Sequence, residues 1–278
     1  MAMKIKGLAI LLILGLLIQV KPLFGQEETA LAEAEKTAED RGPTLSFGAD
    51  LMSRYIWRGR DYGNSPAIQP NICFSWKGLS IGAWGSYAFA KHSILINDTL
   101  IEEAGNYSEA DLYVSYTFKW FTLMVFDYFT VNGLNPNEGN RYFNFNNQTT
   151  GHTVEALLSF DGPETFPVQM IVSTLVYGAD KNKDSSGVYG QGDKNNFSTY
   201  FEAGYTFDIR KAGIKLKPFI GAIPFGGSWY GPYGGVINVG FTAKKEIPVT
   251  EHYALPVQAS LITNPQAQSI FFVFGISI

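Results

Sequence analysis

The chain is poor in the residues that usually mark an enzyme or a metalloprotein. Among its 278 residues there is one cysteine, Cys73, so neither a disulfide framework nor a cysteine-based zinc site can form within one chain. The three histidines, His92, His152 and His252, are scattered without metal-ligand spacing. Long apolar runs are missing as well. The one candidate, Leu8 to Val20, falls short of the roughly 20 residues that a spanning helix needs. With Lys4 and Lys6 before it and Phe24-Gly25-Gln26 after it, this stretch reads as a cleaved signal peptide over residues 1–25. A retained anchor is the competing reading. Cleavage removes Lys4, Lys6 and Lys21 and no acid, which takes the formal charge from −4 to −7. A surface that acidic argues against a nucleic-acid partner.

What the chain does have is alternation. Residues 26–43 are Ala/Glu-rich and lack strand character; they read as a flexible periplasmic extension, with a plug or partner-binding helix as the alternative. From Thr44 onward, twelve segments of about ten residues place apolar side chains at every second position. They start near Thr44, Pro66, Leu79, Ser108, Trp120, His152, Pro167, Phe197, Ile214, Tyr233, Tyr253 and Gln268. In the first, Thr44 to Gly59, Leu45, Phe47, Ala49, Leu51, Tyr55 and Trp57 share the apolar face, opposite Asp50, Arg54 and Arg58. A mean hydropathy of zero is too polar for a helical membrane protein but natural for strands with one face in lipid and one in water.

A soluble sandwich alternates too, so the connections decide. Long polar links (His92 to Tyr107, Asn132 to Gly151, Ala179 to Asn196) follow segments three, five and seven. Short ones follow segments two, four, six, eight and ten: Lys77-Gly78, the Lys119/Trp120 junction, Asp161 to Phe166, Arg210 to Gly213 and Ile247 to His252. Segregation of loop length by parity is the asymmetry of an outer-membrane barrel with periplasmic N- and C-termini. The expected fold is therefore all-β: an antiparallel up-and-down transmembrane β-barrel of about twelve strands over 44–278. A ten-stranded barrel is the runner-up, since Trp120 to Val131 carries Asp127 on its apolar parity, a sign of a bulge or of a largely apolar lumen patch, and Pro167 to Gly178 alternates weakly.

The stretch Ser53 to Phe89 resembles the start of the TorF-type putative porins, exported barrels of Gram-negative bacteria with largely unassigned function. The resembling residues are Ser53-Arg54-Tyr55, Trp57-Arg58-Gly59, Pro66-Ala67-Ile68-Gln69, Gly82 and Trp84-Gly85-Ser86. The resemblance implies a porin-like role in the outer membrane and carries over no catalytic residue and no substrate.

A twelve-stranded barrel has a backbone radius of roughly 12 Å, much of it taken by inward side chains. The parity places Asp50, Arg54, Arg58, Glu109, Asp111, Glu155 and Glu202 in the lumen, with Lys119, Lys215, Lys217 and Lys244 toward the periplasmic turns. Arg54 and Arg58 facing Glu155 and Glu202 would set a transverse field across a narrow pore for a small hydrophilic solute; alternatively these charges pair and fill the lumen, and the barrel acts through its loops. Trp84, Tyr113 and Tyr200 point inward as aromatic stacking or packing groups, and Cys73 as a small lumen residue. Asp180, Asn182 and Asp184 have the oxygen spacing of a calcium loop, but Ser185 and Gln191 stand where its glycine and its final carboxylate belong. His152 is the only candidate for a lipid-modifying site, with Thr174 beside it and no group to orient its imidazole. The reading is of a non-enzyme without cofactor or metal, in contact with outer-membrane lipid.

Overall fold

The computed structural model describes residues 42–96, 99–130 and 138–278. Its strands are β1 (Thr44–Met52), β2 (Tyr55–Trp57), β3 (Arg60–Tyr62), β4 (Ala67–Trp76) and β5 (Leu79–Ile96). Then come β6 (Thr99–Phe118), β7 (Phe121–Tyr128), β8 (Thr153–Asp161), β9 (Val168–Gly178) and β10 (Thr199–Tyr205). The last are β11 (Phe207–Ile209), β12 (Ile214–Ile223), β13 (Gly235–Thr250), β14 (Tyr253–Asn264) and β15 (Ser269–Ser277). Each wall strand pairs antiparallel with its neighbours, β1 pairs with β15, and both β10 and β11 pair with β12. Since β10 and β11 are two pieces of one stave, the wall is a closed antiparallel barrel of twelve strands. Among the described residues no helix is long and apolar enough to cross a membrane.

The alternation is realised in the wall. On β7, Phe121, Leu123 and Val125 are exposed on the outside while Thr122, Met124 and Phe126 are buried inside. On β15, Ile270, Phe272 and Phe274 face out, and Val273, Gly275 and Ser277 face in. Eleven of the expected segments begin within two residues of an observed strand. At the end holding Thr44 and Ile278, the links are the tight ones. Lys77-Gly78 joins β4 to β5 with positive φ at both residues, the type I′ turn whose twist suits a hairpin.

Four expectations are corrected. The first strand stops at Met52, not Gly59, and the following residues form the separate hairpin β2–β3. The expected loop from His92 to Tyr107 is extension of β5 and β6, paired from Ser93/Glu102 to Ile96/Thr99, because a strand above the apolar band has no reason to alternate. The expected Ile247–His252 link shrinks to Glu251-His252, since β13 runs on to Thr250. β7 pairs without a bulge, and Asp127 simply faces outward. The signal over 1–25 and nearly all of the 26–43 extension lie outside the described residues.

Candidate functional site

The wall strand β1 leaves the sheet at Ser53, and the chain folds inward as the β2–β3 hairpin. Its turn is Arg58-Gly59, with φ of 50° and 77°, flanked by the Trp57/Arg60 pair. This is the same type I′ solution as Lys77-Gly78, again after a tryptophan. A Cβ at Gly59 would collide with the Ile237 carbonyl of β13, so the hairpin tip lies directly on the wall three staves round from β1. Asn264 Nδ2 donates to Gly59 O at 3.2 Å. Arg60 donates to Ser228 O at 3.1 Å and to Trp229 O, tying the hairpin to the 224–234 loop.

At the tip, Arg58 and Glu155 form a two-pronged ion pair, with Nη1–Oε1 at 2.5 Å and Nη2–Oε2 at 3.1 Å. Glu155 is wholly buried. It also accepts from Tyr128 Oη at 2.7 Å and Tyr230 Oη at 3.2 Å. The guanidinium carbon lies 4.4 Å from the Trp57 ring centroid and 4.5 Å from that of Tyr200. A planar, weakly hydrated cation between aromatic faces and a bidentate carboxylate is the setting in which arginine tolerates burial.

Around this pair the interior is packed from wall to wall. Tyr55, Trp57, Cys73, Trp84, Tyr113, Phe126, Tyr128, Leu157, Ile171, Tyr200, Tyr230 and Ile237 form one buried cluster, with Tyr62, Tyr107 and Trp229 against it. Tyr55 and Trp57, expected on the lipid face, are inside because the chain no longer follows the wall. Trp84 meets Tyr55 at 5.3 Å, Tyr113 meets Phe126 at 5.4 Å and Tyr200 meets Tyr230 at 5.8 Å between centroids, so the expected lumen aromatics serve packing. The hairpin's Ile56 joins a second cluster with Met52, Ile262 and Val273.

The opposed-charge arrangement does not form as expected. Arg54 pairs with Asp61 within the hairpin loop and not with a carboxylate across the lumen. Glu202 accepts from Tyr200 Oη at 2.6 Å and Asn238 Nδ2 at 3.1 Å, with Lys217 Nζ 3.9 Å away. Glu109 accepts from Tyr107 Oη at 2.7 Å, and Asp111 accepts from the Phe129 N–H at 3.1 Å. Asp50 is buried and accepts from Ser277 Oγ. Lys215 and Lys244 are register partners near the turn end, and Lys119 sits in its tight turn.

His152 does have an orienting group. Its Nδ1 meets both oxygens of Asp127, at 2.9 and 3.0 Å, and its Nε2 meets the Tyr142 carbonyl at 2.6 Å. Phe129 and Phe145 pack on the ring at 4.6 and 4.4 Å. Both nitrogens are thus committed to acceptors, and Thr174 is bonded to Thr199 at 3.0 Å; the His152 group clamps the loop after β7. In the Asp180–Asp184 loop each oxygen donor is already occupied. Asp180 accepts twice from Ser198, Asn182 accepts from the Lys194 N–H, and Asp184 accepts from Ser186 and Val188. Burial pushes the Asp180 carboxyl up, partly offset by Ser198. Hydrogen bonds from Ser186 and Val188 hold exposed Asp184 below the ordinary carboxylate range. No group of three or more histidine, cysteine or acidic side chains suited to a metal occurs among the described residues.

The residues missed in the sequence were Tyr128, Tyr230, Trp229 and Asn238. The available signal was the repeated Trp-cation-Gly, at Trp57-Arg58-Gly59 and Trp76-Lys77-Gly78: the second was read as a turn and the first as strand. No family model matches this chain, and no curated protein matches it. Among solved structures, a chain described under "Unveiling the Mechanism Behind the in-meso Crystallization of Membrane Proteins" is similar over 84% of this chain and 82% of its own, with a TM-score of 0.40 and 5% identity; at that level the likeness carries no argument about function.

Proposed function

We propose that the chain is a porin-like outer-membrane barrel of a Gram-negative bacterium, exported by a cleaved signal, whose route for small hydrophilic solutes is closed by the β2–β3 hairpin. The outward band of exposed Leu45, Phe47, Leu123, Phe272 and Phe274 supports a lipid-facing wall. The resemblance of Ser53–Phe89 to TorF-type putative porins fits the same reading, and that stretch contains the hairpin. It is a transport role without enzymatic chemistry, cofactor or nucleic-acid partner.

The observation that carries the closed state is the burial of Glu155 and Tyr200, both 0% exposed although they point into the barrel. In an open channel they would be wet. A movable plug is supported by how it is held: a type I′ hairpin joined to the wall at its base and fixed at its tip by one ion pair and hydrogen bonds. Toward the turn end the interior changes character, with hydroxyl pairs Ser75/Ser80, Thr117/Thr122 and Thr242/Ser260 at 2.7–2.8 Å. The second reading, a permanently filled barrel acting through its loops, draws on the aromatic cluster packed around Arg58 and Glu155.

Planar-bilayer recordings separate the two. The native protein is expected to be silent or to open rarely, and Glu155→Gln to open far more often. Steady native conductance would overturn the plug. A variant with Tyr55–Tyr62 replaced by a short glycine-serine link that folds yet stays silent would favour the filled barrel.

A further inference from the structure

The wall has one weak seam. β1 and β15 share three register pairs, Asp50/Ser277, Leu51/Ile276 and Met52/Gly275. Just above them Ser53 bonds Phe274 through N–H···O and N–H···Oγ contacts, both 2.8 Å. There both β1 and β4 stop, at Met52 and Ala67, while β15 continues from Gly275 to Ser269 and β5 runs on past Ala88. The result is a notch two strands wide and about 20 Å deep along β15. Behind it lies apolar surface: Met52, Ile56, Ile262 and Val273, with Phe219 and Phe271 packed alongside.

On the outer side, a cavity of about 710 Å³ opens onto this seam, within the range of ligand pockets. Register explains its shape. Ala243 pairs with Ala259, and Ala259 with Phe274, so the floor is two methyl groups ending at an aromatic lip with Pro66 and Phe89. Toward the turn end the lining continues through the register row Lys245, Val257, Ile276 and Leu51 to Ile247 and Ile214. The lining is almost wholly apolar apart from Lys244, Lys245, Gln258 and Ser53. Lys245 stands on the outward parity of β13 near the turn end, an ammonium group at the end of a hydrocarbon slot.

We infer that this seam cavity binds a long-chain fatty acid, with its carboxylate at Lys245 and its chain along Ala243 and Ala259 toward the notch. A single-headed anion is favoured by charge complementarity, since Lys245 is the one lining cation on the outward parity and the rest of the outward lining is apolar. The notch places the end of the chain beside the β2–β3 hairpin and the apolar interior behind it. This inference rests on the membrane location proposed above and is independent of whether the barrel conducts.

The test uses the full mature protein in nanodiscs of zwitterionic lipid, with spin-labelled stearate as the probe. The native protein is expected to show an immobilised component. Ala259→Phe should weaken it at least tenfold, while Ala110→Phe, on an exposed position of another wall strand, should leave it unchanged. Lys245→Gln should weaken binding of the acid and leave the spin-labelled methyl ester unaffected. Heat-modifiable migration checks folding, and Ala259→Leu replaces Ala259→Phe if that variant misfolds. An immobilised component equal in native and floor-filled protein, or insensitive to Lys245→Gln, overturns the site and leaves ordinary boundary lipid.

Discussion

Residues 45–51 and residues 55–57 carry the same alternating pattern in one unbroken stretch of sequence, yet they face opposite media. Leu45, Phe47 and Leu51 lie on the outer wall, whereas Tyr55 and Trp57 are buried within the lumen. The difference is made by Ser53, where β1 leaves the wall, and by Arg58-Gly59, where positive φ turns the chain back. Alternation reports that a strand has two unlike faces. It does not report which face meets lipid when the interior is itself packed with rings.

The largest effect on this comparison should come from the hairpin side. Glu155→Ala leaves the buried Arg58 guanidinium without its carboxylate and should cost about 3–5 kcal/mol, measured by urea unfolding in detergent or lipid. The double variant Arg58→Met/Glu155→Leu should recover most of that loss. If the single variant is as stable as the native barrel, the tip pair does not hold the plug.

A charge placed on the wall side comes next. Phe47→Arg puts a cation on the lipid face and should cost about 2–4 kcal/mol, whereas the same residue on a soluble sandwich would cost far less. Equal stability in lipid would break the assignment of that face. Arg54→Ala removes an ion pair with Asp61 whose arginine is more than a third exposed. It should cost no more than about 1 kcal/mol and leave the hairpin docked by intrinsic tryptophan emission. A large loss there would mean that the base of the hairpin, and not its tip, is the latch.

The smallest effects belong to the 180–198 loop, where two carboxylates respond to pH with opposite sign. Asp184 sits below its ordinary range, so its contribution is present above the unfolded pKa and is lost as pH falls through the folded one. Asp180 is raised, so its contribution is full below the unfolded pKa and is lost as pH rises through the folded one. Limited proteolysis of this loop should show Asp184→Asn abolishing loosening at the acid end, and Asp180→Asn flattening the response above it. Identical profiles for native and both variants would sink this account.

The wall was legible because a strand with an apolar outer face and a packed inner one must alternate, and tight turns need Gly or positive φ: Leu123 and Val125 against Thr122 and Met124, or Lys77-Gly78, carry their own instructions. Inward placement of Arg58, Glu155, Trp84, Tyr113 and Tyr200 was legible for the same reason. Their partners were not. Arg58 and Glu155 are 97 positions apart, and Tyr230 reaches them from a loop with no periodicity to read. His152 and Asp127 were seen separately, the one as a histidine with no group to orient it and the other as an anomaly of parity, and only the fold shows that each explains the other.

The three-pair seam also governs the order of events during assembly. Its residues Asp50 and Ser277 are 227 positions apart, so joining them costs more chain entropy than any hairpin of the wall and returns the fewest ladder bonds. It is therefore the last joint to close. The hairpin hangs from one margin of that joint, and its tip seats against Asn264 and Ile237, two and three staves round on the other side of it. Staves bent round a form they keep need that form in place first. The hairpin is then a mandrel as well as a stopper, and weakening its seat should lengthen the half-time of refolding into lipid even where the finished barrel melts at the native temperature.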